Sequence, residues 1–141
     1  MKIAVDTNVL VYSLNLSSPY HQGCRRFLIE HAEDIVIANQ SLFEYIRVVT
    51  HPKHPNPVSF KTALDYVEKY QTQFQVVYET DRDVQIFREL SLKYHLGSNR
   101  IFDTKLVATL ISNNVNKLAT VNIKDFRVFK EIEIIDSLKF T

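Results

Sequence analysis

The sequence predicts an α/β fold built on a mostly parallel sheet, and three observations predict it. Short apolar runs of strand length alternate with longer segments of helical period, a pattern that yields crossover units with strands covered on both faces. The composition is that of a globular chain: 45% hydrophobic and 23% charged, with two Gly and four Pro in 141 residues, so disorder and low complexity are excluded. No apolar run approaches the roughly 20 residues that a membrane-spanning helix needs.

Residues 2–5, KIAV, read as a buried strand ending at Asp6, after which Thr7 and Asn8 read as the cap of a helix over VLVYSL. Pro19 opens a second helix, with Cys24, Phe27, Leu28 and His31 at helical spacing. Ile35, Val36 and Ile37 form the next strand. After Asn39, the positions Leu42, Phe43, Ile46 and Val49 repeat with helical period until Pro52, Pro55 and Pro57 forbid continuation. Ser59 caps a helix whose inner face is expected to carry Phe60, Ala63, Leu64, Val67, Tyr70 and Phe74. A short strand at Val76–Tyr78 follows, then a helix from Asp81 with Val84, Phe87, Leu90 and Tyr94 inside and Gly97 as its stop. Residues 101–113 form a buried helix, Lys117–Thr120 a strand, NIKDF a turn, and 132–135 a last strand. With so few Gly, left-handed positions fall to Asn, best at Asn113–Asn114.

The 17 Lys+Arg nearly cancel the 16 Asp+Glu, for a net charge of +1, so the global basic excess of many nucleic-acid binders is missing. One Cys cannot make an internal disulfide, and the N-terminus lacks the long apolar stretch of a signal peptide. The expected setting is reducing and cytoplasmic, away from any membrane.

Four acids stand out. Asp6 directly follows an apolar strand, where open parallel sheets collect ligands. Glu44 and Asp103 lie within otherwise apolar helices, and Asp125 lies just past the strand ending at Thr120. Each has a plain explanation as a helix cap, a first-turn acid or an ion pair with a nearby Arg. Together they fit one edge of one sheet. Clustered carboxylates raise one another's pKa unless a cation neutralises them, and hard Mg²⁺ or Mn²⁺ prefers such oxygen ligands. The reaction this set predicts is metal-dependent phosphodiester hydrolysis.

The segments VDTNVLVY, FEYIRVVTHP, IFDTKLVAT and LATVNIKDF, in that order from Asp6 to Phe126, resemble the four signature segments of the PIN-domain nucleases. The nearest likeness is to the VapC-type toxin ribonucleases of bacterial toxin–antitoxin pairs. This resemblance implies a single PIN-like domain over residues 1–141, a three-layer α/β/α sandwich with a four- to five-stranded, mostly parallel central sheet. It also implies that Asp6, Glu44 and Asp103 bind Mg²⁺ or Mn²⁺ and carry catalysis, with Asp125 as the fourth, more variable acid. Thr7 and Asn8 match supporting polar residues, and Thr120 and Asn122 match a polar pair at the last strand end. Many relatives carry an acid where Asn122 stands, so the fourth position lies between Asn122 and Asp125. The implied partners are an RNA substrate, a VapB-type antitoxin that obstructs the acidic pocket, and a second copy of the chain in a homodimer.

Basic residues accompany the acids. Arg47 follows Glu44 by three, Arg100 precedes Asp103 by three, and Lys124 precedes Asp125; all three are candidate contacts for substrate phosphates. Tyr12, Tyr20, Phe43 and Tyr45 are candidates for stacking on unpaired bases, with core packing the commoner use of such rings. His51 and His54 lack the partners that a structural zinc needs. Competing readings are a phospho-acceptor receiver domain, disfavoured because Val5 stands where a second acid is wanted, a catalytically inactive PIN-like scaffold, and a PIN nuclease of RNA processing or DNA repair. The small size favours the toxin.

Overall fold

The computed structural model describes residues 1–138. Its elements run β1 (Ile3–Val5), α1 (Thr7–Leu14), α2 (His21–Glu30), β2 (Ile35–Ala38), α3 (Asn39–Thr50), α4 (Phe60–Gln73), β3 (Gln75–Val77), α5 (Asp83–Lys93), α6 (Ile101–Ser112), β4 (Lys117–Thr120), α7 (Ile123–Phe126) and β5 (Glu133–Asp136). One turn of 3₁₀ helix at Ser98–Arg100 leads into α6. Among the described residues five strands form one sheet in the order β3-β2-β1-β4-β5, and every pairing is parallel. The expected mostly parallel sheet is thus wholly parallel, because every strand is reached through a crossover segment.

The chain steps outward from β1 to β3, then returns to lay β4 on the other side of β1. The crevice between β1 and β4 is the topological switch point, where such sheets bind ligands. This order differs from the 2-1-3-4-5 order of receiver domains, which excludes that competing reading.

Strand alternation divides the interior in two. Ile3, Val5, Ile35 and Ile37 face one layer, packed against Val9, Leu10, Phe27 and Tyr45 of α1, α2 and α3. Ala4, Val36, Ala38 and Leu118 face the other, packed against Leu90, Leu106, Val107 and Leu110 of α5 and α6. Strands buried on both faces read as unbroken apolar runs, which is why KIAV and IVIA carry no polar alternation. Among the described residues no helix is long and apolar enough to cross a membrane.

Several local expectations need correcting. The cap of α1 is Asp6, whose Oδ1 accepts the Thr7 N–H at 2.8 Å, and Thr7 and Asn8 lie inside the helix. Helix α4 keeps its Ser59 cap but buries a narrower stripe, fully enclosing Ala63 and Tyr70 while Phe60 and Leu64 remain exposed. Val84 of α5 is likewise exposed, the helix turning Ile86 inward instead. That helix ends at Lys93, and His95, at φ 54°, takes the left-handed position assigned to Gly97. Leu96 N–H then reaches back to the Ser91 carbonyl at 3.0 Å, closing the helix end. Asn114, at φ 60°, adopts the left-handed conformation as expected. The NIKDF turn contains the short helix α7, so Asp125 lies within a helix rather than ahead of one.

Asp83, a buried acid at the start of α5, ties this helix to α6. Its Oδ2 accepts from the Thr109 hydroxyl at 2.5 Å and its Oδ1 from the Ser112 hydroxyl at 2.5 Å and from Thr80 N–H at 3.2 Å. Burial alone would push its carboxyl up, but the Ser112 and Thr109 hydroxyls and Thr80 together hold it below its ordinary value. Asp83→Ala strands those buried donors, and we expect a loss of about 2 to 3 kcal/mol at neutral pH, read as a shift of the urea midpoint. Because the folded pKa is depressed, the carboxylate's contribution is present above pH 3.8 and fades as pH falls below it.

Candidate active site

Asp6 stands at the carboxyl end of β1 on the switch-point crevice, and the cap geometry of α1 fixes its side chain. It is 9% exposed. Its second oxygen, Oδ2, accepts from the Thr120 hydroxyl at the end of β4 at 3.0 Å. Thr120 Oγ1 in turn accepts the Asn122 N–H at 3.0 Å, so one hydroxyl joins the ends of both central strands to the loop beyond them. Asn8 Oδ1 accepts the Val121 N–H at 3.4 Å and closes the same junction from α1.

Glu44 and Asp103 open onto the cleft that Asp6 lines, a cavity of about 430 Å³. Helix α3 begins directly after β2, which carries Glu44 over the sheet's carboxyl edge. Glu44 Oε1 accepts from the Thr7 hydroxyl at 3.3 Å and from Gln40 Nε2 at 3.2 Å, while its Oε2 has no partner among the described residues. Asp103, in the first turn of α6, accepts from Arg100 Nε on Oδ2 at 3.3 Å, leaving Oδ1 without a protein donor among the described residues. Each helix acid therefore has one oxygen held by the protein and one turned loose.

Electrostatics follow from burial first and from the neighbouring acids second. Burial above all, with Glu44 and Asp103 adding to it, pushes the Asp6 carboxyl up to about 6, against the pull of the Thr120 hydroxyl and the Thr7 amide. Burial also raises Asp103, with Asp125 adding to the rise and Arg100 opposing it. The site holds more negative charge than its surroundings repay, which is the condition a cation relieves.

The carboxylate and amide oxygens gathered on this cleft are the donors a hard divalent ion prefers. Among the described residues no three acids, His or Cys are drawn close enough to enclose an ion by themselves. An ion that keeps several of its waters, as Mg²⁺ does, needs only one or two carboxylates from the protein.

The other candidates separate. Asn122 lines the cleft with the three acids, whereas Asp125 does not line it. Asp125 is exposed on α7, where its backbone carbonyl accepts from Arg100 Nη2. Arg47 lines the cleft and makes no ion pair among the described residues, the anticipated pairing with Glu44 included. Arg100 is committed to Asp103 and the Asp125 carbonyl, with its guanidinium 6.0 Å from the Phe129 ring centre. Lys124 is exposed on α7, outside the cleft lining. Of the rings considered for stacking, Tyr12 lines the cleft, Tyr20 packs edge-on to it at 5.0 Å, Tyr45 is in the core and Phe43 is 66% exposed.

The sequence reading missed Gln40, Lys105 and Glu79. Lys105 Nζ donates to Gln40 Oε1 at 3.1 Å and to Glu79 Oε2 at 3.0 Å, and Gln40 Nε2 also donates to the Phe102 carbonyl at 3.0 Å. The spacing of four between Gln40 and Glu44 was the available signal for their contact. His54 also lines the cleft, delivered there by the Pro-rich loop.

A doubly wound parallel sheet with carboxylates gathered at its switch point defines the class: an α/β protein with an acidic cleft. Within that class the chain belongs to the PIN domain family, whose model matches residues 3–132. It is 25% identical over 131 residues to Ribonuclease VapC24 of Mycobacterium tuberculosis, a match covering 90% of each chain. The fold is similar to that in the VapBC2 complex of Rickettsia felis bound to a promoter DNA fragment, with a TM-score of 0.71 and 20% identity over 96% of this chain and 100% of that one. It is also similar to Mycobacterium tuberculosis VapC20, a toxin that cleaves the sarcin-ricin loop, with a TM-score of 0.64 and 14% identity over 85% and 88% of the two chains.

The raised Asp6 carboxyl has a measurable cost. Its folded pKa of about 6 exceeds the ordinary 3.8, so the folded state holds its proton more tightly and stability falls as pH rises through that window. At about 1.4 kcal/mol per pH unit, the loss above pH 6 is on the order of 3 kcal/mol. Asp6→Asn keeps an acceptor for Thr7 and cannot ionise. In chelator, its melting temperature should exceed that of the wild type at pH 7 and lose that advantage at pH 4.

Proposed function

We propose that this chain is a Mg²⁺- or Mn²⁺-dependent endoribonuclease that hydrolyses RNA phosphodiester bonds, and that it is the toxin of a VapBC-type toxin–antitoxin pair. The observation that carries the reading is the meeting of Asp6, Glu44 and Asp103 on one cleft at the β1–β4 switch point, in a chain similar along most of its length to a ribonuclease. We read residues 1–141 as one PIN-like domain that acts in the cytoplasm as a homodimer and is held inactive by a VapB-type antitoxin. The similar fold in a VapBC complex supports the antitoxin part of this reading.

In this mechanism Asp6, Glu44 and Asp103 would offer their oxygens to the ion, directly or through its waters, and Asn122, as the cleft residue at the end of β4, would take the fourth position in preference to Asp125. What a bound divalent ion supplies is Lewis acidity, neutralising the charge that gathers on a phosphodiester as water attacks it in line. The chain's own residues do the placing. Thr7 and Thr120 grip both oxygens of Asp6 so that its carboxylate does not rotate. The Thr7 hydroxyl also steadies Glu44, coupling two acids through one residue. Arg100 orients Asp103, and Asp125 enters through its carbonyl as the anchor for that guanidinium. Arg47, exposed on the cleft wall, receives substrate phosphate; Lys124, on α7, is a more distant contact along the backbone.

Cleavage of an unstructured RNA with Mn²⁺ tests this directly. Asp6→Ala and Asp103→Asn should each abolish cleavage with circular dichroism unchanged, and full activity in either would overturn the mechanism. Arg47→Gln should raise KM while leaving kcat nearly intact, and should flatten the dependence of log KM on log salt by about 0.7, the share of one phosphate contact on a single strand.

A further inference from the structure

Glu44 is presented to the cleft by a side chain to which the sequence and the family match assign no role. Gln40 lies one helical turn before Glu44 on α3, and its amide is engaged on both ends. The NH₂ group donates to Glu44 Oε1 at 3.2 Å and to the Phe102 carbonyl at 3.0 Å. The oxygen accepts from Lys105 Nζ at 3.1 Å. Only one amide orientation satisfies these neighbours, since flipping it would set the oxygen against a carboxylate and a carbonyl and the NH₂ against an ammonium. Lys105 is itself held by Glu79 at 3.0 Å, just beyond β3.

We infer that Gln40 is a positioning residue for the metal-binding carboxylates: locked by Lys105, it pins Glu44 Oε1 and the first turn of α6, so that Glu44 Oε2 and Asp103 face one ion. This rests on the proposed metal-dependent function. Three contacts carry it. Thr7 and Gln40 together occupy Oε1, which leaves Oε2 as the oxygen free to bind. The Phe102 carbonyl adjoins Asp103, so the same NH₂ that holds one acid registers the helix bearing the next. A cation on the amide oxygen polarises the amide and strengthens both donations from its nitrogen.

The test is Mn²⁺ titration of the full chain by calorimetry, beside RNA cleavage. Gln40→Met keeps the side chain's length and removes both donors; Mn²⁺ affinity should fall about 10- to 100-fold, the range seen when such outer partners are lost. The cleavage deficit should shrink as Mn²⁺ is raised. A folded Gln40→Met protein with wild-type Mn²⁺ affinity, whatever its melting temperature, would reduce Gln40 to a staple between helices and overturn the inference. If that variant does not fold, Lys105→Met decides: it leaves Gln40 in place but unlocked, and should weaken Mn²⁺ in the same direction by less than the roughly 10- to 100-fold of a direct partner, with unchanged affinity counting against the role. Wild-type protein that neither binds Mn²⁺ nor shows cleavage lost in Asp6→Ala would instead bring down the metal-dependent function itself.

Discussion

A carboxylate at the end of a buried strand is expensive, and the chain bears that expense at Asp6. The surrounding apolar strands remove water, and neighbouring acids add repulsion, yet both oxygens are held by donors that prefer them ionised. The balance leaves the Asp6 carboxyl raised to about 6, mostly ionised at neutral pH but less comfortably so than an exposed one. A structural cap alone would need none of this, because an exposed Asp or Ser caps a helix equally well. The burial makes sense when the carboxylate must be rigid and under-neutralised, ready for a cation.

The remaining site is arranged around that fixed point by the sheet order. Placing β4 beside β1 brings Thr120 against Asp6, and starting α3 and α6 near the same edge brings Glu44 and Asp103 within its field. The near-neutral composition takes on a different meaning in this arrangement. With three acids turned into one cleft and Arg47 without an ion pair among the described residues at its rim, the charge balance averages a negative pocket with a mildly basic remainder, and a bound ion would add positive charge where a phosphate meets the chain.

The strands and most helices were legible because their signals are local. KIAV and IVIA announce two-sided burial, Ser59 announces a cap, and the Pro cluster announces a stop. Where reading failed, the deciding interaction was remote or the local signal was shared. Helix α4 turned Phe60 and Leu64 outward because it packs chiefly on α3, too narrow a surface to cover every apolar position. His95 took a left-handed conformation that a Gly two residues later seemed to claim. The acids were visible as candidates, but their placement was not: Asn122 lines the cleft, whereas Asp125 stands outside the lining on α7, near enough to raise the Asp103 carboxyl. The Glu79–Lys105–Gln40 chain spans elements whose adjacency no spacing reveals.

The bond between Thr120 and Asp6 joins residues 114 apart in the chain. During synthesis, Asp6 and α1 emerge early, but nothing holds the second Asp6 oxygen until the chain has grown past β4 and that strand has slotted in beside β1. Asp103 arrives nearly as late. Synthesis must therefore pass residue 120 before the Asp6 carboxylate can have both of its hydrogen-bond partners, and β5 can join the sheet only after that. The parallel topology thus makes one buried carboxylate near the start of the chain depend on a hydroxyl close to its end.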